Sequence, residues 1–135
     1  MGSSTYTMTF TARPEDIDVY GHVNNAVWVR WMEEVATAHW SLIASQDHQD
    51  AYAWFVTRHE IDYRGNIREG ESCEATTEIG KAPSGARFCR RTTFRDCGGK
   101  LLVSAVTSWA MIDRATGKIT RVPREVATRF LPDGA

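Results

Sequence analysis

Apolar and polar residues alternate from Thr5 to Thr11, which puts Tyr6, Met8 and Phe10 on one face and predicts a first strand. The period changes after residue 25. Trp28, Trp31, Met32, Val35, His39, Leu42 and Ile43 recur at spacings of three and four, which predicts one long helix with a broad apolar stripe. Asn24 or Asn25 is its N-cap, because an amide oxygen can accept an orphan N–H of the first turn. The helix is expected to end near Ala44–Ser45, ahead of the polar stretch QDHQD. Its other face carries Arg30, Glu33, Glu34, Thr37 and Ser41, with weak surface pairs between Arg30 and the two glutamates.

Beyond the helix the period is two. From Ala53 to Tyr63, Phe55, Thr57, His59, Ile61 and Tyr63 are expected on one face, and Trp54, Val56, Arg58, Glu60 and Asp62 on the other. Ser72 to Ile79, Ala86 to Arg95 and Leu101 to Asp113 read as further strands, separated by RGNIREGE, KAPSG and DCGGK. Gly98 and Gly99 offer the positive φ that a hairpin turn needs. After the turn ATGK, Pro123 to Phe130 predicts a last short helix with proline in its first turn. The sum is an α+β fold: a curved antiparallel sheet of about five to six strands wrapped around one long central helix. The 135 residues fit a single domain, 1–135.

Composition narrows the function. Apolar types make up 42% and charged types 24%, and the net charge is −1. A charge so near zero provides no field for nucleic-acid phosphates, and no apolar run reaches the length of a membrane span. The opening MGSSTYTMTF lacks the basic and then apolar blocks of a signal peptide. Cys73, Cys89 and Cys97 are odd in number and have no paired spacing, so a reducing, cytoplasmic location is expected. Cys89, in an alternating stretch, reads as a buried small hydrophobe.

The chemistry is concentrated in residues 16–25, DIDVYGHVNN, which hold two carboxylates, an imidazole and two amides and lead straight into a helix N-terminus. A carboxylate there either caps the helix or is a reactive group beside ready-made oxyanion donors. Asp18 lies six or seven residues ahead of the helix, too far for ordinary cap geometry. Gly21 would let the backbone pass close to a substrate. The chain has no G-x-S-x-G elbow and no clear metal motif, so no metal is expected.

The run Asp16-x-Asp18-x-x-Gly21-His22-Val23-Asn24-Asn25, followed three residues later by an aromatic, resembles the signature of hotdog-fold acyl-CoA thioesterases of the 4-hydroxybenzoyl-CoA thioesterase-like superfamily. The likeness continues through Trp31–Met32–Glu33, the HEIDY strand and the later strands, over roughly residues 5 to 130. It implies that Asp18 is the catalytic carboxylate, as nucleophile or as general base for water. It implies too that the backbone N–H of Asn25 holds the oxyanion, and that Asp16 is structural. His22 either orients Asp18 or substrate, or makes a structural bond to the loop. Trp28 stands where relatives commonly carry tyrosine and offers an apolar wall instead of a hydroxyl. Trp28, Trp31, Thr57 and His59 are the candidate substrate-binding residues, and Lys81 and Arg87 the candidate CoA-binding ones. A core histidine is the competing reading of His59, and His39 reads as packing or interface. Arg90 and Arg91 are divided by strand alternation and do not form a phosphate clamp.

The resemblance implies no cofactor, since the CoA thioester is itself the substrate. An open sheet edge further points to a homodimer or homotetramer. Two other readings keep the fold: an acyl carrier protein thioesterase, and a noncatalytic acyl-thioester-binding module.

Overall fold

The structure is a computed structural model and describes residues 4–132, so the first and last three residues of the expected 1–135 domain lie outside it. Five strands form one sheet: β1 (Thr5–Thr11), β2 (Tyr52–Tyr63), β3 (Ser72–Glu78), β4 (Arg87–Asp96) and β5 (Leu101–Asp113). Their order is β1-β3-β4-β5-β2, with every neighbour antiparallel. β3–β4 and β4–β5 are the expected hairpins. β1 and β2 come first in the chain and take the two edges. The described residues also hold three α-helices, α1 (Asn25–Ile43), α2 (Gln46–Ala51) and α3 (Arg124–Ala127), and a short 3-10 turn at Pro14–Asp16. Among the described residues no helix is long and apolar enough to cross a membrane.

α1 lies on the sheet through its apolar stripe, as the hotdog expectation requires. Val27, Trp28, Trp31, Met32, Val35, Ala36 and His39 are buried. Leu42 departs from the predicted stripe and is 65% exposed, because it sits in the last turn, turned away from the sheet. The packing divides into two clusters. Trp28, Trp31, Phe10 and Phe94 fill the first, with Trp28 meeting Trp31 and Phe94 edge-on at 5.2 and 5.1 Å. Burial of Phe94 alone contributes about 1.5–3 kcal/mol. Phe88, Met111, Val126 and Phe130 fill the second, under the C-terminal half of α1.

Three local features differ from the pattern read in the sequence. β2 does not alternate cleanly: the register against β5 shifts between Val56 and Arg58, so Thr57 is an extra residue in a β-bulge. The bulge reverses the phase. Trp54 packs into the core before it and Ile61 packs into the core after it, while Phe55 turns outward. Phe55 and Thr57 therefore do not share the face of His59 and Ile61. The polar QDHQD stretch, to which the sequence pattern assigns no element, forms α2, capped by the Ser45 hydroxyl, which accepts the His48 N–H at 3.1 Å. The final helix is also shorter than expected, with Pro123 at its N-cap.

Candidate functional site

Residues 17–23 form a miniature hairpin, bridged at Ile17 and Val23. The Asp18 N–H donates to the His22 carbonyl at 2.8 Å, and the Gly21 N–H returns to the Asp18 carbonyl at 3.1 Å. Gly21 has φ +80°, the left-handed value that the turn demands and that a side chain would strain. The Asp18 side chain completes the loop from within: Oδ1 accepts the N–H of Tyr20 at 2.9 Å and of His22 at 3.3 Å. Oδ2 receives no donor among the described residues.

The hairpin is anchored at both ends. Val23 is buried, and Asn66 brackets it by accepting its N–H at 2.9 Å and donating to its carbonyl at 3.3 Å. Asp16, 2% exposed, accepts the Arg13 N–H at 3.0 Å and the Arg30 guanidinium at 3.1 Å. Burial pushes its carboxyl upward, but these two partners outweigh burial and hold it below the ordinary carboxylate value. Asp16 is thus structural, and Arg30 ties the hairpin to the second turn of α1 as well as approaching Glu34 at 3.6 Å.

Asn24 is the N-cap. Its side chain takes the Ala26 N–H at 2.9 Å, and its carbonyl takes those of Val27 and Trp28. That leaves the Asn25 N–H as the donor of the first turn with no protein acceptor among the described residues. A free carboxylate oxygen on the hairpin and an open amide at the start of α1 are the two groups that thioester cleavage needs.

The other expected site residues fall in different places. The His22 ring is exposed, and the residue reaches Asp18 through its backbone. Trp28 and Trp31 are 0% and 3% exposed and are packed core rather than open wall, although Trp28 Nε1 has no acceptor. Thr57 sits in the bulge and donates to the Ser108 carbonyl at 3.2 Å. His59 is the satisfied core histidine at one nitrogen only: Nδ1 meets Thr107 Oγ1 at 2.8 Å. Its Nε2 approaches Glu33 of α1 at 3.5 Å without hydrogen-bond geometry. That pairing across helix and sheet was not foreseen, because Glu33 lies on the helix face read as solvent. Lys81 and Arg87 are exposed on either side of the β3–β4 connection and carry no ion pair among the described residues.

A family model for the thioesterase-like superfamily matches residues 12–130. The chain belongs to the thioesterase-like superfamily. Solved structures share its hotdog fold. A hypothetical protein of Staphylococcus aureus in complex with CoA superposes with a TM-score of 0.81 at 20% identity, over 93% of this chain and 80% of that one. A 1,4-dihydroxy-2-naphthoyl-CoA thioesterase from Synechocystis gives 0.79 at 20% identity, over 93% and 95%. Among curated proteins, a chloroplastic acyl-[acyl-carrier-protein] hydrolase of Cuphea viscosissima is 28% identical over 80 residues, which are 58% of this chain and 19% of that protein. The chain therefore spans about a fifth of that curated relative. Within this superfamily the hairpin and the start of α1 supply the candidate chemistry.

Proposed function

We propose that the protein hydrolyses acyl-CoA thioesters to a free carboxylic acid and CoA, with Asp18 as the reactive carboxylate and the Asn25 N–H as oxyanion donor. The observation that carries the reading is the division of labour within Asp18: two backbone amides hold Oδ1, and Oδ2 has no protein donor. Two routes use this arrangement. Oδ2 attacks the thioester carbon, expels the CoA thiolate and forms an acyl anhydride that water then cleaves. Alternatively, Oδ2 takes a proton from water, the water oxygen adds to the carbonyl and the thiolate leaves. In both, negative charge gathers on the carbonyl oxygen, where the Asn25 N–H and the positive end of α1 favour it. Lys81 and Arg87 are exposed cations suited to CoA phosphates.

The test is thiol release from a panel of aliphatic and aromatic acyl-CoAs. Turnover of at least one is expected, and absence of release from all of them would overturn the acyl-CoA reading and leave a carrier-protein thioesterase or a noncatalytic binding module. The match to an acyl-[acyl-carrier-protein] hydrolase favours a second reading, in which the carrier is a protein. Faster turnover of the CoA form of one acyl group than of its carrier-protein form is expected on our reading.

We further propose that the working unit is a homodimer or a pair of dimers. β2 is a 12-residue strand at the sheet edge, and such an edge is a template for pairing. Beside Asp18, Val19 and Tyr20 are 93% and 82% exposed, an apolar tip that a second copy would cover. Sedimentation should find no monomer at assay concentrations; a fully active monomer would overturn this. The three free thiols support a reducing, cytoplasmic setting.

A further inference from the structure

A cavity of about 290 Å³ lies at the far end of α1, between that helix, the start of β2 and the inner face of β4 and β5. Its first helical residue, Ala36, is eleven residues beyond Asn25, or roughly 16 Å along the axis at about 1.5 Å per residue. It is therefore separate from the Asp18 hairpin. Most of its wall is apolar and aromatic, including Trp40, Trp54, Phe88 and Phe130.

Arg90 also lines it, and Arg90 is 8% exposed. A buried arginine is ordinarily matched by a carboxylate. Here the guanidinium Nη1 donates to His39 Nδ1 at 2.7 Å and to Thr77 Oγ1 at 3.1 Å, both uncharged acceptors as arginine meets them. Among the described residues no carboxylate pairs with Arg90, and Nε and Nη2 have no protein acceptor. Burial with no compensating charge pushes its pKa down to about 10. The cavity adds a second donor without an acceptor, Trp109 Nε1, and a second cation, the exposed Arg114. No aspartate or glutamate lines it.

We propose that this cavity binds a small hydrophobic carboxylate, its anionic head on the Arg90 guanidinium and its apolar tail among Trp40, Trp54, Phe88 and Phe130. A guanidinium matches a carboxylate in charge and in planar fork geometry, and the pair is strongest where water is excluded. The volume is near the lower end of small-molecule sites, which selects a short or single-ring acid.

The test is titration of the full chain with 4-phenylbutyrate and with its neutral amide, read by calorimetry and by tryptophan fluorescence, since Trp40, Trp54 and Trp109 line the cavity. The acid should bind one per chain, at least about tenfold more tightly than the amide, and should still bind the Asp18→Asn variant. Arg90→Met should abolish the preference for the acid. Because that substitution is buried, Arg114→Glu at the mouth is the companion variant: it should weaken the acid several-fold and leave the amide unchanged. Equal binding of acid and amide, binding of neither, or loss of acid binding in Asp18→Asn would each overturn the proposal.

Discussion

Replacing Asp16 by alanine separates the scaffold of the site from its chemistry. Asp16→Ala removes two bonds that fasten the hairpin, one from the Arg13 N–H at 3.0 Å and one from Arg30 at 3.1 Å. The backbone bond is worth about 1 kcal/mol. The Arg30 side chain is 55% exposed, so its bond belongs with solvent-screened pairs and contributes a further ~1 kcal/mol at most. The expected loss is about 1–2 kcal/mol, or roughly 4–8 °C in melting temperature for a chain of this size. Its pH dependence follows from the direction of the shift. The carboxyl is held below its ordinary value in the folded state, so its contribution is present above the unfolded pKa and is lost as pH falls through the folded one. Urea denaturation of wild type and Asp16→Ala should differ by the full amount at neutral pH, and the gap should begin to narrow as pH falls below about 4. A gap under about 0.5 kcal/mol at neutral pH, or one that persists unchanged in acid, would mean that Asp16 does not fasten the hairpin as a carboxylate.

Other outcomes follow from the same geometry. Asp18→Ala loses the acceptor of two loop amides and should cost about 1–2 kcal/mol, whereas Asp18→Asn keeps an oxygen for both and should melt within ~2 °C of wild type. Gly21→Ala should cost about 1 kcal/mol, because φ is +80° there while the space around it is adequate. Cys73 is buried and its thiol is pushed up to about 12, while Cys97 is exposed, so a thiol reagent at mild pH should label Cys97 promptly and Cys73 only on unfolding. Single turnover in ¹⁸O-water, followed by peptide mass analysis, should place label in Asp18 if it is the nucleophile and water cleaves the anhydride at the Asp18 carbonyl, whereas the base route puts label only in the product acid.

Much of the fold was legible because long strands and the helix stripe repeat one period. β5 was bounded correctly at Leu101 and Asp113, and α1 to within two residues at each end. β2 was harder, since a bulge is invisible to a rule that counts by two: Thr57 looks like any polar strand residue until its partner on β5 is known. α2 escaped because QDHQDA has no apolar face, and what starts it is a serine cap. At the site, the hairpin residues were visible as a cluster of types. That Asp16 is locked while Asp18 keeps one oxygen free depends on Arg30 and two backbone amides brought in by folding. Arg90 was within reach. It alternates with Phe88, Thr92 and Phe94 and so had to face the core, but sequence could not say that no carboxylate would meet it.

On the proposed function Asp18 does the chemistry and its neighbours only hold it. The measurement that tests it most directly is kcat/KM of Asp18→Asn for thiol release from the best acyl-CoA, with its melting temperature determined on the same preparation. A fall of about 10²–10⁴ is expected, with the melting temperature preserved. Activity within about threefold of wild type would contradict it.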